Sequence, residues 1–269
     1  MNTTPKPLPT TIDGVIARTD DILNLSRAGA SRLGYFAALY KRVTITVRAL
    51  LGKGYFDDDA RMEHLDVTFA NRYLAALDDY TSDGPGCTAP WRVAFDALAN
   101  PKLLILQHLV IGMNAHIELD LGVAVAQVAP GNELASLYDD FNKINTLLAT
   151  LSPLVEKEIG HLSPMIHLAE KVGEKLEKPI VDTGMMVARS TAWELAEKLA
   201  HASPEEQEHI IAERAREVGR WGKEIADPPF LAEAALRVIE LAESNDVRAI
   251  IATLDKPDVI EFQGSPITT

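Results

Sequence analysis

Cysteine is almost absent. Cys87 is the only one in 269 residues, which excludes an intrachain disulfide and fits a reducing compartment. A basic patch is missing as well: 26 Lys and Arg are scattered among 39 Asp and Glu, for a net charge of −13. Such a surface repels nucleic-acid phosphates and anionic lipid, so neither nucleic acid nor membrane is an expected partner. The first residues, MNTTPKPLPTT, lack the apolar core of a signal peptide, and a cytoplasmic protein is expected. There is no glycine-rich phosphate loop, nucleophile elbow, HExxH or CxxC. Alternating strand patterns are also lacking.

What is present is helical spacing in a chain of ordinary globular composition, 47% hydrophobic and 24% charged. The spacing predicts an all-α, single compact domain over residues 11–255, of about nine or ten helices. Irregular segments are expected at 1–10 and 256–269. Asp59 is placed to cap a third helix, and Ser203–Pro204 to open a late one, with Asp227–Pro228 repeating that device. Ser152–Pro153 is read as the start of a new helix, and Ser163–Pro164 as an interruption.

The most apolar run covers about residues 102–128. Gln107, His108, Asn114, His116, Glu118 and Asp120 would lie across its middle, which is costly in lipid and argues for a buried central helix instead. At about 100° and ~1.5 Å per residue, Asp120 lies about 40° round from His116 and one turn on. Gly112 lies on the same side one turn back, where it can open space beside the imidazole. His108 is ~12 Å away along the axis, too far to share a mononuclear site with Asp120. Gln107, Asn114 and Glu118 point the opposite way.

A buried carboxylate needs a partner, and a metal, a basic side chain or backbone donors would each serve Asp120. The His116-x-x-x-Asp120 spacing permits an imidazole nitrogen and a carboxylate oxygen on one divalent metal: Zn, Fe, Mn or Mg. His64 or Asp66 from the third helix, and Asp139 or Asp140 from LYDDFNKIN, are candidate further ligands. The competing reading is a buried His–Asp hydrogen bond that fixes helix packing. Arg189 sits one turn from Trp193, close enough to stack, and is a candidate anion holder. His161 and His167 fit surface or core positions. YFDDDARME and DDF resemble acid clusters that hold Mg²⁺ against a diphosphate; helix-start acids read equally simply there.

The segments LYKRVTITV, MEHLDVTFANRYLAAL, PWRVAF, LQHLVIGMNAHIELDLGVA, LYDDFNKIN and ARSTAWELAEKL follow one another as in an uncharacterised bacterial and fungal family, a domain of unknown function. The resemblance covers about residues 16–199 and centres on G-x-N-A-H-I-x-x-D-L. It implies a helical protein with Asn114, His116, Asp120, Asp139–Asp140, Arg189 and Trp193 at motif positions. More distantly, the chain resembles zinc-dependent phospholipase C and P1-type nucleases, whose His-x-x-x-Asp pair would fall on His116 and Asp120. No histidine follows in LGVAVAQV, so one metal or none is implied.

The expected function is an enzyme acting on a small, partly apolar molecule, hydrolase-like by resemblance. His116 and Asp120 would form its centre, with Asn114 orienting, Asp140 and His64 as co-ligands, and Arg189 on an anionic group. Without a metal, His116 would be the general base and Asp120 its orienter. The alternatives are a non-catalytic small-molecule-binding protein and a Mg²⁺-dependent isoprenoid-type cyclase using Asp57–Asp59 and Asp139–Asp140.

Overall fold

Four of the described helices in this chain start on a side chain that accepts from a free backbone N–H of the first turn. Thr11 Oγ1 accepts from the Gly14 amide at 3.1 Å and opens α1 (Ile12–Gly29). In the computed structural model, which describes residues 7–166, 182–228, 236–262 and 264–269, α2 (Leu33–Leu50) and α3 (Asp59–Thr81) follow. Asp58, not Asp59, caps α3, accepting from the Arg61 amide at 2.9 Å. Asp59 turns back to the Gly52 amide at 3.0 Å and so closes the preceding loop.

Next come α4 (Ala89–Ala97), the long α5 (Ile105–Val128) and α6 (Leu134–Leu162). Helices α7 (Asp182–His201) and α8 (Pro204–Ala226) precede the short α9 (Val247–Leu254). The expected all-α fold is therefore what the structure shows. Ser203 caps α8 in a reciprocal box: Glu206 Oε2 accepts from the Ser203 amide at 2.8 Å. His167 and the helix expected after Asp227–Pro228 fall largely outside the described residues.

Two expectations are corrected. Pro153 does not start a helix but lies inside α6, which runs unbroken for 29 residues. Proline removes one backbone hydrogen bond there. Leu147 and Leu151 before it, with Ile159 and Leu162 after it, are buried on one helix and hold the two halves in line. The tail is not irregular either. Val259–Phe262 (β1) pairs antiparallel with Ser265–Thr268 (β2), with Ile260 opposite Ile267. Ile260, Phe262 and Ile267 are buried, and Phe262 stands edge-on to Tyr55. Four-residue strands are too short to announce themselves by alternation. At the root of this hairpin Arg42, buried on α2, donates to Glu158 of α6 at 2.6 Å and lies 3.6 Å from Asp258.

Helix α5 is central. Its opposite face from His116 is stitched to α8 at three levels. Gln107 Nε2 donates to the Ile225 carbonyl at 2.9 Å and Asn114 Nδ2 to the Val218 carbonyl at 3.0 Å. Arg214 Nε donates to the Glu118 carbonyl at 3.0 Å, and its guanidinium also binds the Glu118 carboxylate. Steps of seven and four residues along α5 match equal steps back along α8, so the antiparallel register is fixed.

On another side α5 meets α7 at Gly122. A Cβ added there would lie 2.6 Å from the Ala192 carbonyl oxygen and 2.9 Å from Leu195 Cβ. Backbone cannot yield as a flexible side chain does, so Gly122→Ala is expected to destabilise the fold by about 1–3 kcal/mol. Urea unfolding checks this; an unchanged midpoint would mean that the two helices do not approach so closely.

Candidate functional site

A π-helical turn, His116–Leu121, interrupts the α-helical ladder of α5. Such turns carry one extra residue and recur at functional sites. Here the turn holds both His116 and Asp120. Asp120 is 1% exposed and His116 2%. The Asp120 carboxylate collects three side-chain donors from three helices. Arg72 Nε (α3) reaches Oδ1 at 2.8 Å, Trp91 Nε1 (α4) reaches Oδ2 at 2.6 Å, and His116 Nδ1 lies 3.3 Å from Oδ2. Burial would raise the carboxyl's pKa, but the Arg72 guanidinium, with His116 and Trp91, outweighs it and holds Asp120 below the usual carboxylate range.

His116 is pushed the other way. Burial lowers its pKa despite Asp120, so the imidazole is neutral at pH 7. A neutral ring facing a carboxylate through Nδ1 carries its hydrogen there, which leaves Nε2 as an acceptor. That Nε2 is buried with no hydrogen-bond partner among the described residues. Phe69 stacks on the ring at 3.6 Å, and Tyr40 stands edge-on at 5.0 Å. Gly112 does make room, but for Phe36: a Cβ there would lie 2.8 Å from Phe36 Cδ2, and Phe36 in turn meets the imidazole edge-on.

His116 lines an apolar cavity of about 170 Å³ bounded by α2, α3, α5, α6 and the start of α7. Asp66 and Arg189 line it too. Burial, with some repulsion from Glu63, raises the Asp66 pKa from 3.8 to about 8, so this carboxyl is mostly protonated at pH 7. Its Oδ2 has no partner among the described residues. Arg189 is 5% exposed. It donates to Asn145 Oδ1 at 2.5 Å and to the Phe141 carbonyl at 2.7 Å. Its guanidinium lies over the Phe141 ring at 4.2 Å rather than on Trp193, which packs against Tyr138 and Phe141 instead.

The residues named from the sequence thus divide. His116 and Asp120 form one unit, and Arg189 shares the cavity with His116. Asn114 does not orient anything at the cavity, because its amide is spent on Val218. His64 is exposed on α3, two residues from the inward Asp66. Asp140 accepts from the Asp57 and Asp58 amides at 2.8 and 3.1 Å and from Lys143 Nζ at 2.9 Å. These bonds pin the 57–58 loop to α6. The four proposed metal ligands therefore do not form one set. Among the described residues no three His, Cys, Asp or Glu side chains are arranged around a common metal position. Lys143 also bonds Asp57 at 2.6 Å, so an ammonium already sits between the acids in which a Mg²⁺ cluster was read. Cys87 is buried, and that burial pushes its thiol up to about 11, far from a thiolate nucleophile.

Three residues that matter here were overlooked or underweighted in the sequence. Asp66 stands on the apolar face of α3, four residues after Met62 and three before Phe69, and that placement was its signal. Arg72 follows Phe69 by three on the same helix. Trp91 had no local signal, since its partner Asp120 is 29 residues away.

Two predictions follow from this geometry. Trp91→Phe keeps one aromatic ring but removes the pyrrole half with its donor to a buried charge, and should cost at least about 1.5–3 kcal/mol in chemical unfolding. Asp66 has a folded-state pKa above its unfolded one. Its protonated form therefore stabilises the fold fully below pH 3.8, and that contribution is lost as pH rises through about 8. Asp66→Asn should remove this dependence. Melting temperatures of the two proteins would diverge in the variant's favour from pH 5 to pH 8.5; parallel curves would place Asp66 in solvent.

No curated protein and no solved structure matches the chain. A family model does, over residues 12–228, which span the described helices from α1 to α8 and every residue of the cavity and of the Asp120 cluster. The chain belongs to the family of unknown function DUF5995.

Proposed function

We propose that the chain binds a small, largely apolar molecule in the His116 cavity and moves a proton within it, His116 acting as base and Asp66 as acid. The supporting observation is the pairing of these two groups on one cavity wall. A neutral imidazole whose Nε2 has no partner among the described residues lines the same cavity as a carboxyl that keeps its proton at neutral pH. Environments that push acid and base away from their ordinary pKa values in this manner mark acid–base sites. Tyr40 lines the same cavity and stands edge-on to His116 at 5.0 Å.

The chemistry balances without a co-reactant. His116 Nε2 takes a proton from a C–H made acidic by a neighbouring carbonyl or double bond, while Asp66 delivers its proton to another atom of the same molecule. The product is an isomer. Asp120 stabilises the imidazolium formed meanwhile and keeps the ring oriented, as a buried carboxylate does behind a catalytic histidine. Proton exchange from His116 back to Asp66 restores the site.

A second reading is non-catalytic binding, and the predominance of aliphatic and aromatic side chains on the wall favours it. One experiment separates the two. The molecule that co-purifies is identified by native mass spectrometry and incubated with the protein in D₂O. Catalysis predicts deuterium uptake or a shifted double bond with the wild type, at least about 100-fold slower with His116→Gln and with Asp66→Asn. A molecule recovered unchanged from all three proteins leaves binding as the function.

A further inference from the structure

We infer that the ligand of this cavity is a small amphipathic monocarboxylate, held by Arg189 through its carboxylate with its apolar part in the cavity. The inference rests on the cavity being a ligand site, as proposed above, but not on the proton transfer.

A guanidinium cannot shed its proton at neutral pH, and burying one is costly unless a counter-charge compensates it. Arg189 is buried, yet its acceptors among the described residues are an amide oxygen and a backbone carbonyl, both uncharged. Among those residues no carboxylate forms an ion pair with it. The two acidic groups on the wall among the described residues, Asp66 and Glu156, do not supply that charge. Asp66 is mostly protonated, and Glu156 is exposed at the rim without pairing to Arg189. Burial also brings the Arg189 pKa down to about 9, as expected for a cation lacking its counter-charge.

The two acceptors occupy Nε and Nη2, and the ring of Phe141 covers one guanidinium face. A guanidinium fixed in this way presents a planar fork, which matches a carboxylate better than a spherical anion. Around it stand Ile144, Leu148 and Met185, which admit an apolar body. One cation on the wall among the described residues calls for one negative charge, which favours a monoanion over diphosphates and dicarboxylates. Size narrows the class further. A cavity of about 150 Å³ takes a benzene, so the 170 Å³ here suits a body of about six to ten heavy atoms.

The test is calorimetric titration of the full chain with hexanoate and octanoate, and with hexanol and octanol as neutral counterparts. The acids should bind at least about tenfold more tightly than the alcohols, the weight of one charge-assisted hydrogen bond. Arg189→Met should abolish that preference while alcohol binding persists; Arg189→Lys should retain part of it. Acids preferred equally by wild type and Arg189→Met would overturn the role of Arg189 and leave the cavity standing. Equal binding of acids and alcohols by the wild type would overturn the carboxylate, and this arm needs no variant to fold. Binding of none of the four would overturn both the inference and the cavity reading. Asp66→Asn serves as the control for the reaction: carboxylate binding without proton exchange separates the failure of one proposal from that of the other.

Discussion

The carboxylate of Asp120 is the constraint on which the centre of this molecule turns. A charge taken wholly out of water must be met on every side, and here it is met by Arg72, Trp91 and His116 from three different helices. That requirement draws α3 and α4 against the π turn of α5 and leaves little freedom in how they cross. It also decides which nitrogen of His116 faces the carboxylate and which is turned away from it. Orientation of the imidazole is thus a by-product of solvating the acid, and the packed rings of Phe69, Tyr40 and Phe36 hold the result in place.

Around the cavity the logic is reversed. Asp66, His116 Nε2 and Arg189 are buried polar groups that the described protein leaves short of partners or of counter-charge. A core selected for stability alone would replace them with aliphatic side chains at similar volume. Elsewhere this chain shows that it can pair such groups: Arg42 finds Glu158, Glu118 finds Arg214, and Asp140 finds two amides and a lysine. The contrast is one of charge: the cations at these helix joints meet carboxylates, whereas the acceptors of Arg189 among the described residues are uncharged.

How much of this was legible in the sequence depends on how local each signal is. His116 and Asp120 were readable because the pair lies one helical turn apart. The opposite face formed by Gln107, Asn114 and Glu118 was readable for the same reason, and there Asn114 donates to α8. His64 and Asp66 differ by two positions, about 200° of helix, so choosing between them required knowing which side of α3 faces inward. Arg72 and Trp91 were hidden because their common partner lies on another helix. Arg189 lines the same cavity as His116, but the ring it lies over is Phe141, 48 residues away, and not Trp193 one turn away. Pro153 misled because local propensity argues for a break, whereas long-range burial on both sides keeps α6 continuous.

The stitching of α5 to α8 has an asymmetric consequence. Two of its three levels end on main-chain carbonyls, at Ile225 and Val218. Any residue that keeps α8 helical supplies the same carbonyl, so those bonds place little demand on side-chain identity there. On α5 the donors are the side-chain amides of Gln107 and Asn114, which few residue types can replace. Mutational tolerance is therefore distributed unevenly across one interface: the helix bearing the histidine and aspartate is held to its sequence, and the helix that braces it is comparatively free to drift.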